Sequence, residues 1–172
     1  METNTKNENY RIAQLQEVLG DALYGARSHL SPERILEGLD YELAGREIPN
    51  SPHTIWQLLK HLNYWQDRFI ARLEGLKALP SKTSDDGWRF SGAPGDEMEW
   101  QEEVEKFLGG ITYVQNICLK DTKCLDPQMG DYKDGFAVVQ SMASHISYHL
   151  GELVLLRRII GAWPPPSGGL TW

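Results

Sequence analysis

His145 and His149 stand four residues apart in a stretch whose apolar residues recur with a helical period. On a helix this spacing puts two side chains one turn apart on the same face. It is the spacing with which a helix offers two imidazoles to one metal ion. His149 lies on the apolar seam itself, between Ile146 and Leu153, and His145 lies at the edge of that seam one turn earlier. Rings turned toward a core are costly unless each nitrogen finds a partner. Either each ring hydrogen-bonds a neighbour, or a metal takes one nitrogen of each.

His61 tips the balance toward metal. It follows Leu58 by three and precedes Trp65 by four, so it shares an inward face with both. Alone it reads as a satisfied core histidine; together with the pair it makes three inward imidazoles on two helices. Three neutral imidazoles around one ion leave a position for water or substrate, as in catalytic zinc sites. Such an ion lowers the pKa of a bound water or thiol. Glu152, one turn beyond His149, can orient that ring or act as a base, or it can be a solvated glutamate on the helix flank. Tyr148, Tyr64 and Asp67 are weaker candidates, with Tyr64 and Asp67 in the phase of a surface. His53 and His29 fall at helix ends and read as surface or capping residues.

Four long helices must position these rings. Ile12, Leu15, Leu19, Ala22, Leu23 and Ala26 form one stripe and predict a helix over about 8–28. Ser31-Pro32-Glu33 is a start signal for a short helix ending near Leu39. Ser51-Pro52 repeats that signal before Ile55, Leu58, Leu59, Leu62, Trp65, Phe69 and Leu73, a helix ending near Gly75. A stretch rich in Gly, Pro, Ser and Asp spans about 76–95; connections this long are often functional, and Trp88 and Phe90 are placed to pin it to the body. The third long helix covers about 96–120, with Trp100, Val104, Phe107, Ile111, Val114 and Cys118 in a 4-3-4-3-4 spacing. Its Gly109-Gly110 pair costs about 1 kcal/mol per residue in propensity, which points to close packing or a bend. After a loop over 121–131, the fourth covers about 132–161, stopped by Gly161 and Pro164-Pro165-Pro166. With no convincing strand run, these predict an all-α four-helix bundle with long connections and one extra short helix, the whole of 1–172 as one domain.

Composition narrows the function. With 172 residues the chain can bury a real core. A net charge of −7 and no Lys/Arg-rich run argue against a nucleic-acid partner. No apolar run approaches the roughly 20 residues that span a bilayer, and the polar start of the chain has no signal-peptide core, so no membrane association and a cytoplasmic setting are expected. Cys118 and Cys124 lack paired metal spacing, and a disulfide between them is not expected. Neither a phosphate-binding loop nor a nucleophile elbow occurs.

Two phrases resemble a known family. Ile55-Trp56-Gln57-Leu58-Leu59-Lys60-His61-Leu62 is similar to the "LLxHL" signature, and His145-Ile146-Ser147-Tyr148-His149-Leu150-Gly151-Glu152 to the "HxxYHxGQ" motif, of the DinB/YfiT-like superfamily. The stretch from Leu156 through Pro166 resembles the family's usual ending of that helix. The resemblance implies a four-helix bundle with one long crossover, and a divalent metal held by three histidines. By motif position these are His61, His145 and His149. Nickel or zinc is the implied ion, with manganese or iron as further choices. It also implies frequent homodimers, and among relatives enzymes that transfer low-molecular-weight thiols, isomerases and hydrolases. A small-molecule thiol or electrophile is the implied partner. Glu152 departs from the pattern, since glutamine is usual there; the extra carboxylate makes it the candidate catalytic residue. The rival expectation is a stress-associated binding bundle whose metal is structural or whose site is disused.

Overall fold

The computed structural model describes residues 2–26, 28–76, 83–120, 127–129 and 132–169. Four long helices dominate it: α1 (Glu2–Leu23), α4 (Ile55–Leu73), α5 (Glu97–Lys120) and α6 (Gly135–Ile159). Two short helices, α2 (Pro32–Leu36) and α3 (Tyr41–Ala44), lie between α1 and α4. A 3-10 turn (Ser84–Trp88) lies between α4 and α5. Before α6, β1 (Pro127–Met129) and β2 (Tyr132–Asp134) form a two-stranded antiparallel hairpin with Met129 opposite Tyr132. The helix expected from about residue 132 therefore starts at Gly135. Asp134 is its N-cap, accepting from the Ala137 N–H, so the residues before it are free to extend and pair.

The four helices form a bundle in which α1 and α4 are diagonal, as are α5 and α6. Side-chain pairs give their directions. Lys60 meets Glu103 and Asp67 meets Lys106, so α4 and α5 run parallel. Phe69 meets His145 while His61 meets His149, so α4 and α6 run antiparallel. Tyr24 bonds Thr112 and Gly20 packs on Gln115, so α1 and α5 are antiparallel. The order is thus up-down-down-up. Two parallel neighbours joined in sequence need a connection that travels the length of the bundle, and residues 83–96 are the longer of the two described parts of that crossover. They climb beside α4, from Gly87 against Tyr64 and Trp65 to the Gly92 carbonyl at Thr54.

The expected stripes form the core. Trp56, Trp100, Phe107, Ile111, Met142 and Leu153 are all buried in one apolar cluster. Trp100 donates its indole N–H to the Leu39 carbonyl, which ties α5 to the end of the α2 segment. Among the described side chains of α1, from Tyr10 on, the first buried hydrophobic is Leu19, and Leu15 is 49% exposed. The start of α4 also differs from expectation. Thr54, not Ser51, caps it, in a reciprocal capping box with Gln57. α6 closes in a Schellman motif, with the Gly161 N–H on the Arg158 carbonyl and the Ala162 N–H on the Arg157 carbonyl.

The polar seam between α4 and α5 explains one glycine of the α5 pair. A Cβ on Gly110 would fall 2.0 Å from the Gln66 amide nitrogen, whereas Gly109 faces open space. Close packing is therefore the reason for Gly110 alone. Gln66 Nε2 in turn donates to the Lys106 carbonyl at 3.1 Å. Cys118 is buried in the core; Cys124 lies outside the described residues. Among the described residues no helix is long and apolar enough to cross a membrane.

Candidate metal centre

The antiparallel contact of α4 and α6 brings His61 opposite the His145/His149 pair. Ring centroids lie 5.1 Å apart for His61 and His145, 4.6 Å for His61 and His149, and 4.5 Å for the pair itself. One nitrogen from each ring falls within 4.8 Å of the other two. His61 and His149 are buried and His145 is half-buried.

Hydrogen bonds decide which nitrogens face inward. His61 Nδ1 lies 2.9 Å from the Gly87 carbonyl oxygen, which can only accept, so Nδ1 carries the proton and Nε2 keeps its lone pair. His149 Nδ1 lies 2.6 Å from Glu152 Oε2. A carboxylate fixes the tautomer in the same way, leaving Nε2 of His149 free to ligate. His61 Nε2 and His145 Nε2 are 3.2 Å apart. Two ligands each about 2.0–2.1 Å from one tetrahedral ion stand about 3.3 Å apart, so the pair fits that geometry.

Electrostatics favours the neutral form of His61 and His145. Burial lowers His61 to about 4, with the charge of His149 adding to it and the Gly87 carbonyl opposing it. His145 is lowered to about 3, by burial first and then by His149 and His61. Neutral imidazole is the form that ligates. The donor set of three nitrogens suits zinc or nickel better than magnesium or calcium, which prefer oxygen.

Aromatic rings wall the site. Trp88 lies flat between two histidines, 3.7 Å from His61 and 3.8 Å from His53, with interplanar angles of 12° and 6°. The crossover therefore does more than rest on the bundle. Its Gly87 carbonyl orients His61 and its Trp88 covers the ring, and a Cβ on Gly87 would stand 3.1 Å from His61 Nδ1. Trp65 and Phe69 meet His145 edge-on, at 6.1 and 6.2 Å.

Of the residues picked from sequence, His61, His145, His149 and Glu152 come together. Asp67 pairs with Lys106 at the surface, and Tyr64 stacks under the Arg68 guanidinium. His53, read from its position as surface or capping, is half-buried on Trp88, and burial lowers its pKa against the opposing charge of Glu152. His29 bonds Ser147 Oγ at 3.0 Å and the Leu30 carbonyl at 2.7 Å, on another face of α6. Sequence reasoning missed the orienting role of Gly87 and the second stack on Trp88. A tryptophan inside a Gly/Ser/Asp-rich crossover was the available signal.

A model of the DinB superfamily matches residues 17–153. Comparison with curated proteins gives no significant match, and neither does comparison with solved structures. The matched span runs from within α1 to within α6 and contains all three histidines and Glu152. The chain belongs to the DinB superfamily.

Proposed function

We propose that His61, His145 and His149 hold one divalent metal ion, nickel or zinc, and that the protein is a metal-dependent enzyme acting on small molecules. The observation that carries this reading is the convergence of three ring nitrogens within 4.8 Å, two of them freed for ligation by hydrogen bonds on the opposite ring nitrogen. A metal bound there supplies Lewis acidity and lowers the pKa of a thiol or water beside it. The protein's own groups prepare the site. Gly87 and Glu152 hold the tautomers of His61 and His149, Trp88 keeps water off the His61 face, and the half-buried edge at His145 gives access. Glu152 is also the one carboxylate bonded to the histidine cluster among the described residues, and so the candidate to accept a proton.

Transfer of a low-molecular-weight thiol to an electrophile is the favoured reaction, with metal-assisted hydrolysis as its alternative. The family membership supports this choice. The same membership carries the expectation of a homodimer. The competing reading, a binding bundle with a structural or disused site, draws on the aromatic packing around the rings.

The test starts with metal content. Protein expressed with nickel and zinc present should carry about one ion per chain by elemental analysis, and His149→Ala should lose it. Chelation should leave the thermal melt largely intact if the ion is functional and lower it strongly if structural. Metal-loaded protein is then screened against low-molecular-weight thiols with a generic electrophile. Absence of metal under replete conditions, or full affinity in His149→Ala, sinks the assignment.

A further inference from the structure

A cavity lined in part by Glu152 adjoins the histidine cluster. Its volume is about 350 Å³, and it lies between the turn at residues 49–53 and the last turns of α6. This is within the roughly 300–1,000 Å³ of small-molecule sites. Buried Leu58 and Leu156 form its floor, and Leu155 and Ile159 its rim. Both rim residues are 57% exposed, which leaves large apolar surface in water beside a formed cavity.

Its polar groups are few. Glu152 is the only formally charged residue in the lining, and His53, kept toward its neutral form by burial, is the other ionisable one. Glu152 spends Oε2 on His149, while Oε1 makes no hydrogen bond among the described residues, and the side chain is 41% exposed. The basic residues at the end of α6 are turned elsewhere. Arg157 donates to the Ile35 and Ala162 carbonyls, and Arg158 lines a separate cavity with His29. The N-terminus of α4 and the C-terminus of α6 both end beside the cavity, so their dipoles offset. The carboxylate therefore sets the sign of the charge that the cavity receives.

We propose that this cavity binds a small apolar amine, its ammonium on Glu152 and its hydrocarbon against Leu155, Leu156 and Ile159. The site stands on the cavity and the carboxylate, and does not depend on a metal at the histidines.

Calorimetric titration of the full chain, metal-free and metal-loaded, with cyclohexylmethylamine and with cyclohexylmethanol tests it. The two probes share a shape and differ in charge. The amine should bind at least tenfold more tightly than the alcohol. Glu152→Gln should erase that difference, and Leu155→Trp, at an exposed position, should block both probes. Ile159→Trp gives a second block should the first variant fold poorly, as judged by circular dichroism. Equal affinity for amine and alcohol, no binding of either, or an amine site that survives the carboxamide or a folded tryptophan variant overturns the proposal.

Discussion

Two of the three histidines, His61 and His149, are oriented by a hydrogen bond on the other ring nitrogen. Glu152 bonds His149 and the Gly87 carbonyl bonds His61. Partners of this kind typically set metal affinity by 10–100-fold. Glu152→Ala should therefore weaken metal binding by about that factor, measured by competition with a chromogenic chelator, while retaining the fold. Unchanged affinity would mean that His149 needs no orienting partner. The buried rings also carry a pH signature. His61 and His145 sit at about 4 and about 3 in the folded chain, below the 6.5 of a free histidine. Between those values the unfolded chain binds protons that the folded one does not, so their contribution to stability is full above 6.5 and falls as the pH drops toward 4. Urea midpoints of metal-free protein should decline from pH 7.5 to 5, and decline less in His145→Ala. A flat midpoint would show that these rings are not buried as neutral groups.

At the scale of elements, α4 does the most. Its one face carries His61 and Trp65, and its other face carries Asn63 and Gln66 into the seam with α5, where Asn63 bonds Glu103. That seam closes because Gly110 lets the two parallel helices approach. Gly110→Ala should destabilise the protein by about 1–3 kcal/mol despite the better helix propensity of alanine, because the added methyl meets the buried Gln66 amide. Chemical denaturation reads this directly, and Gly109→Ala, facing open space, is the control that should be neutral or stabilising. The stripes of α4, α5 and α6 were legible in sequence because a 3.6-residue period is a local property. The exact start of α4 was less so. Ser51-Pro52 is the start signal in the sequence, and only the reciprocal bonds of Thr54 and Gln57 move the cap to Thr54.

For the whole molecule, the tail after α6 is anchored from inside. Arg157 is 1% exposed, spans the Ile35 and Ala162 carbonyls, and faces the Trp163 ring at 5.5 Å. Its burial follows from α2 and the returning tail closing over it, which no local spacing encodes. Arg157→Ala should cost roughly 2–3 kcal/mol, since it strands buried carbonyls that the guanidinium now satisfies. A melting temperature within about a degree of the wild type would overturn that account. The sequence by itself determined the helices and the seams on which His61, His145 and His149 lie, because side-chain faces follow from spacing along one helix. Only the tertiary structure decided the up-down-down-up order, the 3.2 Å approach of His61 to His145, and the Trp88 sandwich. These depend on how distant segments pack, and the same helical periods are compatible with several such arrangements.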